Sequence, residues 1–96
     1  MIHLAVTGAT GRMGKAIINA IIGGEATSLR GALERDGSLF LGKDAGEAAG
    51  AEKTGVKITD SLDRAFRKAD CIIDFSAPEA SIRTLEYAVE HDKALV

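Results

Sequence analysis

The feature that most constrains the fold is a glycine-rich segment, V-T-G-A-T-G-R-M-G, at residues 6–14. Its first two residues end a short apolar run rich in β-forming residues, Ile2–Thr7, which predicts a buried strand. It precedes a segment with apolar residues at helical spacing that runs from Arg12 to about Ile22. A strand, a glycine-rich turn and a helix in this order are typical of the first unit of a parallel α/β sheet.

The glycines of this turn suit the phosphates of a dinucleotide. Ala9 stands at the first glycine place of the pattern G-x-G-x-x-G, and Gly8 lies one residue earlier, so the spacing is G-x-x-G-x-x-G. Gly8 and Gly11 permit a tight turn and a close approach of the backbone to phosphate. The N–H groups of Gly11, Arg12 and Met13 are expected to be free at the positive end of the helix dipole, where an anion is stabilised.

The side chains of the predicted helix are assigned mainly to packing. Arg12 is expected to be exposed, either facing a phosphate or simply solvated, and Met13 is expected to pack while its backbone borders the cofactor. Gly14 lets the helix approach the strand, and Gly23 and Gly24 end the helix. The buried face is predicted to consist of Met13, Ala16, Ile17, Ala20 and Ile21.

An acidic residue followed by an arginine comes at the end of the second predicted strand, Ser28–Leu33. Glu34 lies twenty residues after Gly14, close to the distance (~20 residues) at which a carboxylate accepts hydrogen bonds from the ribose of a dinucleotide. Arg35 presents a fork of donors that can pair with the 2′-phosphate of NADPH. Because Glu34 alone would repel that phosphate, the pair indicates a site for NADH, NADPH or both. The alternative interpretation is an ordinary ion pair at a strand end.

The rest of the chain continues the alternation of strands and helices. Residues 35–56 are rich in glycine and are expected to form a long loop with one helical turn near 44–49. A third strand is predicted at Cys71–Phe75, and Ala94–Val96 has the pattern of a fourth strand that is cut short. We therefore predict one α/β domain over residues 1–96, a truncated Rossmann-like, doubly wound parallel sheet of about four strands.

Two further helices are predicted on either side of the third strand. Asp60 or Ser61 is expected to cap a short helix that ends near Lys68. Ser76–Glu79 has the S-x-x-E form of a capping box, with a proline in the first turn, and opens a helix that runs to about His91. The apolar residues Ile82, Leu85 and Val89 share one face of this helix.

The end of the third strand has a second interpretation. The carboxyl ends of parallel strands line the ligand crevice of a doubly wound sheet. Phe75 and Ser76 stand at such an end, so they are expected to border the nicotinamide side of a bound dinucleotide. The simpler alternative is that they only end the strand and cap the helix.

Composition and charge disfavour several classes of partner and site. The net charge of −2, a pI of about 5.6 and 4% aromatic residues argue against nucleic acid and anionic membranes as partners. No apolar run approaches the ~18 residues of a membrane span, so the cytoplasm is the expected location. His3 and His91 have no second ligand at metal spacing, which predicts no metal site, and the single cysteine, Cys71, is expected to be a buried core thiol. The carboxylates expected to be helix caps or solvated loop charges are Asp44, Glu47, Asp60 and Asp63.

Four blocks of the sequence together resemble one family, the 4-hydroxy-tetrahydrodipicolinate reductases (formerly dihydrodipicolinate reductases) of bacterial lysine and diaminopimelate synthesis. The resemblance covers the whole chain, and the combination of blocks is far more specific than any one of them. The blocks are V-T-G-A-T-G-R-M-G at 6–14, G-A-L-E-R at 31–35, G-K-D-A-G-E-A-A-G at 42–50 and D-F-S-A-P-E at 74–79.

The resemblance implies an oxidoreductase and assigns residues to its site. Hydride would pass from the nicotinamide of NADH or NADPH to a cyclic imine or enamine dicarboxylate, in a cytoplasmic homotetramer. Glu34 would bind the adenosine ribose, Arg35 the phosphate of NADPH, and the segment 74–79 would lie near the nicotinamide. The pyrophosphate would be held by the turn residues Gly8, Ala9, Thr10, Gly11, Arg12 and Met13.

Two departures from the family limit what the chain is expected to do alone. Ala77 stands where some members carry arginine, so a cofactor contact by that arginine is absent. The family's substrate-binding domain, with its paired histidines, its proton-donating lysine and a later glycine–threonine cofactor loop, would lie beyond residue 96. We therefore assign no catalytic residue to this chain, expect it to be inactive by itself, and expect the small dicarboxylate substrate to bind to the missing domain.

Two other classes of protein share parts of the pattern. The V-T-G-A-T-G start also resembles atypical short-chain dehydrogenase-like proteins, some of which are non-catalytic NADP-binding sensors. Sequence beyond residue 96 would separate the two, since a histidine-rich substrate motif favours the reductase and Tyr-x-x-x-Lys favours the dehydrogenase-like family. The third class is a flavodoxin-like module that binds another phosphate ligand, and failure to bind any nicotinamide nucleotide would favour it.

Overall fold

The computed structural model describes residues 1–96 and contains four strands and four helices. The strands are β1 (Ile2–Thr7), β2 (Thr27–Leu33), β3 (Cys71–Asp74) and β4 (Ala94–Leu95). The helices are α1 (Arg12–Gly23), α2 (Ala45–Ala48), α3 (Leu62–Phe66) and α4 (Pro78–Glu90). None of the four helices has the length and apolar character that a membrane span requires.

The strands form one parallel sheet with the order β2-β1-β3-β4. After β1 the chain moves to β2 on one side, and it then returns to the other side of β1 to form β3 and β4. The strand order therefore reverses between β1 and β3, and in such sheets the ligand crevice lies outside the carboxyl ends of the strands at this point. The predicted Rossmann-like parallel sheet is confirmed.

Both faces of the sheet are covered, which explains the apolar run Leu4-Ala5-Val6 in β1. Leu4 and Val6 pack on one face with Ile18 of α1. Ala5 points to the opposite face and belongs to a second cluster that contains Phe66 of α3. Because successive strand residues alternate between faces, a strand buried on both sides has no polar alternation.

The buried face of α1 differs from the predicted one. Ile18 is fully buried, and Gly14 lies so close to the turn that a Cβ built on it would be 2.1 Å from the carbonyl oxygen of Gly8. This contact sets the rotation of the helix about its axis, so the buried stripe follows positions 14, 18 and 21. The prediction is right for Ile21, right in part for Ile17, and wrong for Met13, Ala16 and Ala20, which are exposed.

A single buried carboxylate organises the long segment between β2 and α3. Asp44 is 9% exposed and accepts hydrogen bonds from the N–H groups of Gly46 (2.9 Å), Glu47 (3.2 Å), Thr54 (3.0 Å) and Gly55 (2.7 Å). Burial raises the pKa of Asp44, but these N–H donors outweigh it and lower the pKa to about 2. The predicted helical turn and its cap are confirmed, whereas the expectation of a solvated charge is wrong for this residue.

The helices around β3 start differently from each other. The Ser61 side chain accepts a hydrogen bond from the N–H of Arg64 at 3.3 Å, so the predicted cap of α3 is confirmed. The predicted capping box of α4 is wrong, because the helix begins after Ala77 without a side-chain cap. The Ser76 hydroxyl instead donates to Oδ1 of Asp74 at 2.5 Å, and an ionised carboxylate is the stronger acceptor.

The apolar residues of α4 do share one face, but that face points to solvent. Ile82 is 60% exposed and Val89 is 73% exposed, whereas Thr84 and Ala88 face the sheet. The thiol of Cys71, on neighbouring β3, is only half-buried, although it packs against the core. Burial raises the pKa of this thiol and the nearby carboxylate of Asp70 raises it further, so the sulfur stays protonated at neutral pH.

Candidate functional site

A cavity of about 800 Å³ opens at the carboxyl ends of β1, β2 and β3. It lies at the reversal of strand order, where a doubly wound sheet binds its ligand. The residues that the sequence assigned to a dinucleotide site and that line this cavity are Gly8, Thr10, Gly11, Glu34, Arg35, Phe75 and Ser76. The assigned residues that lie outside its lining are Ala9, which is buried, and Arg12 and Met13, which are exposed.

The glycine turn adopts a conformation that other residues strain to reach. Gly8 has φ +61°, and a Cβ built on it would lie 2.8 Å from the carbonyl oxygen of Phe75. The N–H of Gly11 donates to the Gly8 carbonyl at 3.0 Å, so the expectation that it is free is wrong. The N–H groups of Arg12 and Met13 have no partner within the protein, and they point out of the first turn of α1. Of the three N–H groups expected to be free, those of Arg12 and Met13 therefore remain as donors at the positive end of the helix dipole.

The carboxylate of Glu34 is bound to the glycine turn. Its Oε2 accepts hydrogen bonds from the main-chain N–H of Thr10 at 2.8 Å and from the Thr10 hydroxyl at 2.6 Å. Its Oε1 accepts one bond, from the N–H of Arg35 at 3.2 Å. Partial burial raises the pKa of Glu34, but the two bonds from Thr10 and the neighbouring Arg35 together lower it. The group is therefore ionised at neutral pH and can only accept hydrogen bonds.

The guanidinium of Arg35 has no ion-pair partner. The protein contains one ion pair, between Arg67 and Asp63 at 4.0 Å, and it lies on α3. The alternative interpretation of Glu34 and Arg35 as a strand-end ion pair is thus wrong for this structure. Arg35 is exposed beside the cavity and has all its side-chain donors available.

The ends of β1 and β3 are joined by a hydrogen-bond network that sequence reasoning missed. The fully buried hydroxyl of Thr7 donates to Oδ1 of Asp74 and accepts from the N–H of Phe75 at 3.0 Å. The N–H of Ser76 also donates to Oδ1 of Asp74, at 3.0 Å. Burial raises the pKa of Asp74, whereas the hydroxyls of Ser76, Ser81 and Thr7 lower it more strongly. This network fixes the backbone of Phe75 and Ser76 at the rim of the cavity.

Comparison with known proteins identifies the family. The family described as dihydrodipicolinate reductase, N-terminus, matches residues 2–96. The chain belongs to the dihydrodipicolinate reductase family. The chain is 48% identical over 93 residues to a 4-hydroxy-tetrahydrodipicolinate reductase of Burkholderia vietnamiensis, and 50% identical over 93 residues to that of Burkholderia ambifaria. Each match covers 97% of this chain and 35% of the relative, so the chain spans about a third of the length of these proteins.

A solved structure shares the fold. A dihydrodipicolinate reductase from a Paenisporosarcina species, with dipicolinate bound, superposes with a TM-score of 0.72. The match covers 99% of this chain and 36% of that protein, at 18% sequence identity. At this identity the similarity concerns the fold, and it agrees with the parallel sheet described above.

In this dihydrodipicolinate reductase domain, seven further residues complete the cavity lining. Arg83 is the most notable of them, because it adds a second guanidinium to the site. It lies three residues after Ala80 on α4, so the two are neighbours on the helix surface, and helical spacing could have linked them once α4 was known to border the cavity. The complete set is Leu33, Asp36, Asp60, Leu62, Ala77, Ala80 and Arg83.

Proposed function

We propose that this chain is the part of a 4-hydroxy-tetrahydrodipicolinate reductase that binds the nicotinamide dinucleotide, and that it accepts NADH, NADPH or both. The observation that carries the proposal is the meeting of two features in one cavity. One is the glycine turn, of which Gly8, Thr10 and Gly11 line the cavity and which leads directly into the first turn of α1; the other is the Glu34–Arg35 pair at the end of β2. Dinucleotides are bound by this combination in doubly wound sheets.

The residues present fit such a cofactor. The cavity of about 800 Å³ falls within the range of ~300–1,000 Å³ that is usual for small-molecule and cofactor pockets. The pyrophosphate would lie against the turn formed by Gly8–Met13, whose close packing against the Phe75 backbone leaves no room for a side chain on Gly8. The adenosine ribose would bind Glu34, a 2′-phosphate would bind Arg35, and the nicotinamide would lie beside Phe75 and Ser76.

The contribution of this chain to the reaction is binding and orientation. The nicotinamide, when bound, supplies a hydride to the substrate. Glu34 holds the ribose through its lone pairs, and the dipole of α1 stabilises the charge of the pyrophosphate. The network of Thr7 and Asp74 keeps the rim residues in place beside the nicotinamide. Holding the reactive ring in one orientation lowers the entropic part of the barrier.

The reaction of the whole protein goes beyond this chain. We propose that it reduces a cyclic dihydrodipicolinate-type imine or enamine to tetrahydrodipicolinate in lysine and diaminopimelate synthesis. The small dicarboxylate substrate and the proton donor would belong to a further domain, outside residues 1–96. The whole protein is proposed to be a cytoplasmic homotetramer. The alternative is a non-catalytic sensor, which would bind NADP without turning it over. No observation on this chain favours it, and an assay of turnover by the whole protein separates the two.

Calorimetric titration of NADH and NADPH tests the cofactor assignment. The whole protein and the 96-residue chain are titrated, each as wild type and with Glu34→Ala or Arg35→Ala. We expect Glu34→Ala to weaken NADH about tenfold, and Arg35→Ala to weaken NADPH by ~10-fold or more while NADH changes little.

The control is Arg64→Ala, which removes an exposed arginine that does not line the cavity. This variant should bind both cofactors as wild type does. Binding of neither nucleotide by the folded whole protein would refute the proposal and favour another phosphate ligand. Binding by the whole protein but not by the chain would show that the chain lacks part of the site.

A further inference from the structure

We propose that Arg83 is a second residue that binds the 2′-phosphate of NADPH, acting together with Arg35, and that it sets the preference of the site for NADPH over NADH. The inference rests on the proposed function, since it concerns the adenosine end of the same cavity. Arg35 and Arg83 are the only cationic side chains in the cavity lining. They come from different elements, the end of β2 and the second turn of α4, so a group between them can be held from two directions.

The guanidinium of Arg83 has no partner within the protein. Glu79 and Glu86 lie four residues before it and three residues after it, positions from which helical side chains commonly pair. Neither forms an ion pair with Arg83 within 4.0 Å, and the only ion pair in the protein joins Arg67 and Asp63. The five N–H donors of Arg83 are therefore available to a ligand, and their fork matches two phosphate oxygens.

The charge of the cavity explains why one arginine is not enough. Three carboxylates line it, those of Glu34, Asp36 and Asp60. With Arg35 alone the lining would carry a charge of −3 + 1 = −2, and Arg83 brings it to −1. A phosphate monoester adds about −1.5 to −2 at pH 7. The second guanidinium reduces this repulsion, whereas NADH, which lacks the 2′-phosphate, does not need it.

The surface of α4 around Arg83 leaves room for a ligand. Ala80, three residues before it on α4, and Ala77, directly before the helix, also line the cavity. Both are alanines, whose side chains end at Cβ and occupy little of the cavity. Arg83 is therefore the one long side chain that α4 contributes to the cavity lining.

The test compares NADPH and NADH binding by the whole protein with Arg83→Ala, Arg83→Lys, Arg35→Ala and the Arg35/Arg83 double variant. We expect Arg83→Ala to weaken NADPH about tenfold and to leave NADH within about twofold. Arg83→Lys keeps the charge but loses the fork, so its NADPH affinity should lie between those of wild type and Arg83→Ala. The double variant should show coupling between the two arginines, and it should depend less on salt than wild type.

Arg64→Ala is again the matched control, since it removes an exposed arginine outside the cavity. Thermal unfolding of each variant verifies that it is folded. An equal loss of NADPH and NADH affinity in Arg83→Ala would overturn the inference, because it would assign Arg83 to the adenine or the pyrophosphate. Unchanged binding of both would also overturn it, while leaving the proposed function intact. Failure of the wild-type protein to bind either nucleotide would refute both proposals.

Discussion

Glu34 and Thr10 are joined by two hydrogen bonds to one carboxylate oxygen, at 2.8 Å from the Thr10 N–H and 2.6 Å from its hydroxyl. The residue proposed to bind the ribose is therefore hydrogen-bonded directly to the glycine turn that is proposed to bind the pyrophosphate. Oε1 of Glu34 carries only the longer bond from the Arg35 N–H, at 3.2 Å, and has capacity for a ribose hydroxyl. The distance in sequence between the glycine turn and Glu34 thus corresponds to a direct contact between the proposed pyrophosphate and ribose sites.

Thr10→Val tests whether the threonine hydroxyl orients Glu34. The variant keeps the shape of the side chain and the main-chain N–H bond but removes the 2.6 Å hydroxyl bond. We expect NADH affinity to fall by ~3–10-fold, because the carboxylate loses one of its charge-assisted bonds. The pKa of Glu34 should rise towards its ordinary value, which an NMR titration of the carboxyl carbon measures.

The control for Thr10→Val is Thr27→Val. Thr27 is a threonine of β2 whose hydroxyl donates only to the carbonyl of Ile21, at 3.2 Å, away from the cavity. It should leave cofactor affinity and the pKa of Glu34 unchanged. Equal effects of the two substitutions on NADH binding would contradict a specific role for Thr10.

Gly8→Ala separates the two reasons for glycine in the turn. Gly8 combines a positive φ of +61° with a Cβ position only 2.8 Å from the Phe75 carbonyl oxygen. Gly37 has φ +84° but nothing within 4 Å of its Cβ position, so Gly37→Ala introduces the backbone strain without a steric clash. We expect Gly37→Ala to cost about 1 kcal/mol of unfolding free energy and Gly8→Ala at least ~2 kcal/mol, measured by urea denaturation. Similar costs for the two would show that the contact with Phe75 is relieved easily.

The first unit of the fold was predictable because its information is local. The apolar run of β1, the glycines of the turn and the distance to Glu34 are each visible in a short window. The buried face of α1 was not predictable in this way. A backbone contact between Gly14 and Gly8 sets the rotation of the helix, so the predicted face was displaced towards Met13. Hydrophobic spacing alone does not contain that contact.

The other differences between prediction and structure come from side chains whose hydrogen-bond partners are not those that the sequence predicts. Ser76 has the sequence form of a helix cap, but it bonds to Asp74, whose charge competes for its hydroxyl. The network of Thr7 with Asp74 joins residues 67 positions apart, and no local pattern specifies such a pair. Arg83 follows from helical spacing once α4 is known to border the cavity, a fact that depends on the tertiary fold.

The carboxylate of Asp44 gives the stability a defined dependence on pH. Its pKa is about 2 in the folded protein and 3.8 ordinarily, so the folded state binds the proton more weakly than the unfolded state. Its stabilisation is therefore fully present above pH 3.8 and is lost as the pH falls through about 2. We expect Asp44→Asn to lower the unfolding free energy by ~1–3 kcal/mol at pH 7, because four N–H groups lose a charged acceptor.

Urea denaturation at several pH values between neutral and acidic conditions measures both effects. Asp44→Asn should flatten the acid limb of the stability curve, and it should approach wild type at the lowest pH. Glu52→Gln, an exposed carboxylate in the same segment without hydrogen bonds, should leave the curve unchanged. An unaltered acid limb in Asp44→Asn would assign the acid sensitivity to other carboxylates.

Thr7→Val tests whether the buried network positions the nicotinamide side of the site. Both Thr7 and Thr84 are fully buried threonines, but the Thr7 hydroxyl has two partners, Asp74 and the Phe75 N–H, while the Thr84 hydroxyl has none. Thr7→Val leaves the Phe75 N–H without an acceptor and should cost ~1–3 kcal/mol of unfolding free energy. Thr84→Val removes only an unpaired polar atom and should be neutral or stabilising.

Thr7→Val should also affect cofactor binding, whereas Thr84→Val should not. In Thr7→Val the rim formed by Phe75 and Ser76 loses its anchor, so NADH affinity should fall while the affinity for ADP-ribose, which lacks the nicotinamide, stays near that of wild type. The adenosine end depends on Glu34 and its bonds to Thr10, which this substitution does not touch. Calorimetry with both nucleotides makes the comparison. A parallel loss of NADH and ADP-ribose binding would mean that Thr7 supports the whole glycine turn and has no specific effect on the nicotinamide rim.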